Sequence, residues 1–264
     1  MLAVVRSCEI GRDVGVLADA GGSSTTTGDD ARPFLHELPG HFEADSSGRA
    51  RHETPLPTEA EIHATTVSGL TTCIVLVRHG ETDWNRDRRF QGHADVPLNE
   101  DGRRQARELA ERLVEERFVA TYSSPLSRAL ETARILGARL DLEVEARDGL
   151  KEVDVGSWSG LTTAEAESRF PDGYRRWAAD HSGGWTDGET YAELGERVVA
   201  ELLLLAEQHP DEEILVVTHG GAMRAVVAFT MGLPFDSGRS VVAFVENCAV
   251  VRIAVRDGKL ERVD

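Results

Sequence analysis

The chain has 264 residues, with 29 Lys and Arg against 46 Asp and Glu and a net charge of −17. That length supports a sizeable core in one large domain or two small ones. So acidic a chain disfavours nucleic acid and anionic membrane surfaces as partners, and an anionic substrate must be held by a local basic pocket rather than drawn in by the overall field.

Residues 1–70 differ in character from the rest. They carry four of the nine prolines (Pro33, Pro39, Pro55, Pro57), a polar run from Gly21 to Asp30, and five basic against eleven acidic residues. Such a segment buries too little apolar surface to offset its ordering entropy. It reads as a disordered N-terminal extension, with a short helix near Pro57–Ala64, ahead of a domain over residues 71–264. A mis-assigned translation start gives the same picture. Deleting residues 1–68 is expected to leave turnover and melting temperature nearly unchanged, and a large fall in either would show that the segment packs on the domain. Arg6 and Glu9 interrupt the apolar start, so no secretory run forms, and the longest apolar runs are too short to span a bilayer. A cytoplasmic location is expected. Cys8, Cys73 and Cys248 are widely spaced, which gives neither a disulfide framework nor a metal signature. Cys73 and Cys248 lie in apolar, strand-like runs and read as free buried thiols in a reducing compartment.

From Cys73 onward strands and helices alternate. The run Cys73–Val77 is a strand ending at Arg78-His79-Gly80. Asn99 caps a helix with apolar positions Ala106, Leu109, Ala110, Leu113 and Val114 at helical spacing. Val119–Tyr122 is the second strand, after which Ser124-Pro125 supply an N-cap and first-turn proline for a helix to about Leu140. A short strand follows near Leu142–Glu145. Residues 146–190 are irregular, with two short helices near Thr163–Phe170 and Tyr174–Ala179. A connection of this length is usually a lid or a binding loop. A helix from about Tyr191 to Gln208 turns its Leu202–Leu205 block to the sheet. The strand Ile214–Thr218 ends at His219-Gly220, echoing the first. A helix over Gly221–Met231 and strands near Val241–Glu246 and Ala249–Arg256 close the chain as an antiparallel edge. Continuous Val/Ile/Leu runs suit strands covered on both faces, so the fold class is α/β: a mainly parallel sheet with helices on both faces and an antiparallel edge.

In such sheets ligands bind beyond the carboxyl ends of the strands. His79 and His219 each end a strand, and Arg128 lies in the first turns of the helix after the second strand. Two imidazoles and two guanidiniums, Arg78 and Arg128, therefore share one edge. Guanidinium grips phosphate through a planar fork, and an imidazole in that cationic setting is a competent nucleophile toward phosphorus. The other histidines fit no zinc spacing, so no metal and no cofactor is expected. Arg86, Arg88, Arg89 and His93 form a basic cluster that either meets a second anionic group or stands solvated. Trp158 is expected to pack its loop rather than touch substrate.

Leu76-Val77-Arg78-His79-Gly80-Glu81-Thr82, with Asn85 beyond it, resembles the signature of the histidine phosphatase superfamily, the phosphoglycerate-mutase-like fold. The likeness continues through Gln91-Gly92, Pro97-Leu98, Gly102, Gln105-Ala106, the block Ser123–Ala129 with Thr132-Ala133, the segment Leu150–Gly160, Gly188-Glu189-Thr190, Arg197 and Thr218-His219-Gly220. It covers roughly residues 73–255. The resemblance implies that His79 attacks phosphorus to form a phosphohistidine. It implies that Arg78, Arg128, His219 and Asn85 hold the phosphoryl oxygens, and that Glu152 protonates the leaving oxygen and then activates water. Asp154 and Glu81 are rival carboxylates for that last role. The expected function is hydrolysis of a phosphomonoester, a small phosphorylated metabolite.

Two alternatives stay open. The mutases of this fold carry Glu-Arg-His-Tyr-Gly where this chain has Glu152-Val153-Asp154-Val155-Gly156, which speaks against phosphoglycerate mutase chemistry. A non-catalytic phospho-ligand-binding scaffold would typically lack one of Arg78, His79, Arg128, Glu152 or His219, and all five are present. Relatives of this pattern act on sugar phosphates, phosphoglycerate derivatives, nucleotides, cobalamin-precursor phosphates and phosphoproteins. Selection among these is expected from the loop between Gly160 and Gly188, through Trp177, Trp185, Tyr174, Arg175 and Arg176. The expected partners are the small substrate alone, with no nucleic acid and no membrane, and with room for a homodimer.

Overall fold

The computed structural model of the protein describes residues 69–180, 184–237 and 245–263. The expected N-terminal extension, the helix near Pro57–Ala64 and most of the expected strand Val241–Glu246 lie outside the described residues. Strands β1 (Thr71–Arg78), β2 (Ala120–Ser123), β3 (Val144–Ala146), β4 (Glu213–Thr218), β5 (Val250–Arg256) and β6 (Lys259–Arg262) form one sheet in the order β3-β2-β4-β1-β5-β6. The first four are mutually parallel, while β5 runs antiparallel to β1 and pairs with β6 as a hairpin. The helices are α1 (Asp83–Arg86), α2 (Glu100–Arg112), α3 (Ser127–Leu140), α4 (Thr163–Arg169), α5 (Pro171–Asp180), α6 (Tyr191–Gln208) and α7 (Gly220–Thr230).

Side chains of a strand alternate between faces, so the unbroken apolar runs of β1 and β4 feed two cores. Ile74, Leu76, Ile214 and Val216 pack with Leu194, Val198, Leu202, Met223 and Val226 of α6 and α7. Val75, Val77, Leu215 and Val217 pack with Ala106, Leu109, Ala129, Ala133 and Leu136 of α2 and α3. Both central strands thus end, buried, at the same edge, and that edge carries the two histidines.

The structure departs from the sequence reading at several points. Helix α3 starts at Ser127 rather than at Pro125, and its N-cap, Leu126, makes no side-chain cap. The missing cap comes from a distant loop: Asp95 accepts from the backbone N–H and the hydroxyl of Ser127, each at 2.7 Å. Those bonds hold the Asp95 carboxyl below the usual range. In α6 only Leu202 and Leu205 of the leucine block are fully buried, whereas Leu204 is exposed, because a helix cannot turn four successive residues to one side. Strand β6 was not foreseen. Cys73 is disulfide-bonded rather than free, while Cys248 is the free, buried cysteine.

The irregular segment is organised by Trp158, which is fully buried. Phe90, Trp185, Trp177 and Phe170 surround it, with ring centroids at 5.2, 5.5, 5.9 and 6.4 Å. Trp177 and Trp185, expected to contact substrate, are buried in this cluster instead. Tyr174 lies against Trp177, and Arg175 pairs with Asp172 on the exposed face of α5. A Trp158→Ala variant should lose about 3–5 kcal/mol of stability in urea denaturation. A loss below about 1 kcal/mol would mean that the cluster does not hold the segment.

Candidate active site

Arg78 ends β1, and His79 follows it, its N–H donating to the Thr218 carbonyl at 3.0 Å across the β1–β4 junction. The His79 ring is 2% exposed. Its Nδ1 lies 2.7 Å from the Gly80 carbonyl, a geometry that assigns the proton to Nδ1 and leaves the Nε2 lone pair free. His219 caps α7 from the end of β4, its ring centroid 5.2 Å from that of His79. It is fully buried, and neither ring nitrogen has a hydrogen-bond partner. Burial, then the charges of Arg128 and Arg78, hold the His79 imidazole neutral well below its usual range. Burial, then Arg128, His79 and Arg78, do the same for His219.

These shifts carry a stability consequence. Unfolded imidazoles titrate near pH 6.5, so below about that pH the unfolded chain binds more protons than the native one and native stability falls. In His219→Gln the fall between about pH 6.5 and 5, followed by urea denaturation at each pH, should be shallower. An unchanged slope would contradict a neutral, buried His219.

Arg128 points into the same pocket and is fully buried. Its Nη1 and Nη2 donate to the carbonyls of Ala94 and Gly92, both at 2.8 Å, and its Nε has no acceptor. Arg78 donates from Nη1 to the Val245 carbonyl. Burial lowers both guanidiniums to about 10, so both stay charged at neutral pH. Two buried guanidinium charges, acted on by the single carboxylate of Glu152, lie beside a buried imidazole and favour an anion at this edge.

Glu152 completes the group. Its carboxylate accepts from the N–H of Gly221 at the start of α7 and from that of Val153, both at 3.0 Å. A side chain on Gly221 would run into that carboxylate. Of the rival carboxylates, Glu81 is engaged by Asn99 and Asp154 caps the N–H of Gly156. Asn85 uses Oδ1 to accept from the Thr82 N–H at 3.2 Å and from Asn247 at 3.3 Å, which leaves its amide N–H groups to donate. The structure thus brings all six predicted residues to one edge.

Several supports escaped the sequence reading. Asn247 donates to the His79 carbonyl at 2.9 Å. Thr132 accepts from the Gly80 N–H at 3.0 Å and donates to the Arg128 carbonyl at 2.7 Å, tying the loop after His79 to α3. Arg197, noticed in the sequence without a role, forks onto Glu189 and donates to the carbonyls of Gly149, Lys151 and Glu152. It fixes the loop that carries the acid. Beyond that loop lies an open cavity of about 660 Å³, lined by His93, Asp154, Asp187, Glu189 and Arg197 among others. Its acidic wall is unsuited to phosphate, so the histidine pocket is the better anion site. No described helix is long and apolar enough to cross a membrane.

Residues 74–263 match the family model of the histidine phosphatase superfamily (branch 1). The chain is 42% identical to phosphoglycerate mutase-like protein 4 of Arabidopsis thaliana over 160 residues, 58% of this chain and 68% of the relative. It is 38% identical to a metal-independent phosphoserine phosphatase of the same plant over 194 residues, 71% of this chain and 76% of that one. Among solved structures, a mycobacterial glucosyl-3-phosphoglycerate phosphatase superposes with a TM-score of 0.66 at 29% identity, covering 73% of this chain and 96% of its own. A sheet edge that gathers two histidines and two buried guanidiniums, a family match over residues 74–263 and phosphatase relatives agree: the chain belongs to the histidine phosphatase superfamily and is a phosphatase of small phosphorylated metabolites.

Proposed function

We propose that His79 Nε2 attacks the phosphorus of a small phosphomonoester from the side opposite the leaving oxygen. The P–O ester bond breaks as the P–N bond forms, and Glu152 gives its proton to the departing alkoxide. Arg78, Arg128, His219 and the Asn85 amide hold the phosphoryl oxygens as charge spreads over them. Glu152, now a carboxylate, takes a proton from the water that attacks phosphohistidine and releases phosphate. The observation that carries this reading is the fully buried His219 with two unpartnered nitrogens, set beside His79 between two buried guanidiniums. Hydrolysis is favoured over mutase transfer because Val153 and Asp154 stand where the mutases carry Arg and His: Val153 is buried in the core and Asp154 accepts from the Gly156 N–H. They offer no cation to hold a reorienting phosphoglycerate. Some relatives are named as phosphatases of phosphoserine and of glucosyl-3-phosphoglycerate, and compounds of that size are the first panel to assay. Turnover should persist in a chelator, because the residues named supply every charge and proton. Activity that vanishes with chelator and returns with added metal would sink the mechanism.

A further inference from the structure

We propose that Arg224 forms a second anion subsite beside the phosphoryl pocket, so that the preferred substrate carries a further negative group, carboxylate or phosphoryl, near its ester. The inference rests on the phosphatase reading above and extends it to substrate class. Arg224 lies one turn into α7, half-buried. Its Nε donates to the Gly220 carbonyl at 3.1 Å, which anchors the side chain against the helix start. A methyl group placed on Gly220 would sit 3.4 Å from Arg78 Nε and 3.6 Å from Arg224 Nη2. Both guanidiniums therefore flank the same point, immediately after His219.

What marks Arg224 out is its pairing. In this acid-rich chain the half-buried arginines Arg89, Arg103, Arg147, Arg197 and Arg252 each hold a carboxylate. Arg224 holds none among the described residues and stands beside the buried Arg78, whose charge it repels. Withdrawing a guanidinium from water beside another cation is unfavourable unless an anion comes to it. The substrate's phosphoryl dianion does not meet that demand. When Glu152 acts as an acid it is protonated, and Arg78 and Arg128 already balance the dianion. One cation at the pocket remains, and its planar fork suits a carboxylate or a second phosphoryl group. The basic cluster considered from sequence does not compete for this role. Arg86 pairs with Asp83 and Asp87, Arg89 with Glu165, and His93 bonds the Glu152 carbonyl, while Arg88 is exposed.

The test uses the full-length chain and compounds matched except for the second charge. The pairs are 3-phosphoglycerate with glycerol 3-phosphate, O-phosphoserine with O-phosphoethanolamine, and a sugar bisphosphate with its monophosphate. For each, kcat/KM is measured, together with the inhibition constant against p-nitrophenyl phosphate hydrolysis. The wild type should prefer the doubly anionic member of at least one pair by about 10- to 100-fold, and Arg224→Gln should remove most of that preference through KM. Arg224→Lys should restore part of it. The pair that responds tells carboxylate from phosphoryl. A wild type without preference, an Arg224→Gln enzyme that keeps it, or equal losses on both members of every pair would overturn the proposal. If the wild type neither turns over nor binds any compound, including p-nitrophenyl phosphate, the phosphatase reading fails with it.

Discussion

A His79→Ala enzyme is expected to lose turnover by about six orders of magnitude, the scale seen when a nucleophile is removed, and to retain no phosphoryl label after rapid quenching. The wild type, quenched during turnover, should carry a phosphoryl group that is stable to base and labile to acid, as phosphoramidate chemistry requires. The expectation follows from the geometry of one ring. Nδ1 is committed to the Gly80 carbonyl, the ring is buried between Arg78 and Arg128, and those charges keep it unprotonated. The lone pair of Nε2 is therefore available at neutral pH. Among the described residues the His79 side chain hydrogen-bonds only to its neighbour Gly80, so the alanine variant should still fold, and a melting curve will show whether it does. Label retained by His79→Ala would move the nucleophile elsewhere in the pocket.

The second large effect belongs to a residue with no side chain. The Gly221 N–H anchors the Glu152 carboxylate at 3.0 Å, and a methyl group at that position would occupy the carboxylate's own place. The far end of a flexible side chain gives way first, so Gly221→Ala should displace the acid while the helix stands. Turnover of alkyl phosphates should fall by about 100-fold, within the range for loss of a general acid, while p-nitrophenyl phosphate should lose less than about tenfold because its leaving group needs no proton. Glu152→Gln should show the same contrast between leaving groups. Equal losses on both substrate types would mean that Glu152 acts otherwise than as an acid.

The two central strands and their histidines were legible because a parallel strand covered on both faces leaves no alternative to an unbroken apolar run. The start of helix α2 was legible to the residue, since Asn99 carries its own cap, whereas Leu113 and Val114, expected within the helix, fall past its last residue, Arg112. The start of α3 was not, because the cap is Asp95, thirty-two positions upstream, and no local pattern reports a bond of that range. Strand β6 hides its character in Lys259-Leu260-Glu261-Arg262, where only Leu260 is buried. The turn before it was the overlooked signal. Asp257 and Gly258 both adopt positive φ, at 49° and 70°, as an Asp-Gly hairpin turn requires. The site residues were legible by type and by strand end, whereas the supports Asn247, Thr132 and Arg197 act through hydrogen bonds that leave no periodicity. Arg224 was missed for a similar reason: its significance lies in the carboxylate it lacks.

The strand order has a consequence for how the enzyme is made. Strand β1 leaves the ribosome before the other described strands, yet both of its neighbours, β4 and β5, follow only after β2, β3 and α6. Until then its two edges are open to wrong partners, and folding must wait for long-range pairing. The order of synthesis also delays activity, because the Val245 carbonyl that engages Arg78 and the Asn247 amide that holds the His79 carbonyl arrive just before β5. A nascent chain released after β4 would already contain His79, Arg128, Glu152 and His219, but not the strand and bonds that hold them in register. Phosphatase activity is thus expected to appear only once β5 has been made and paired with β1.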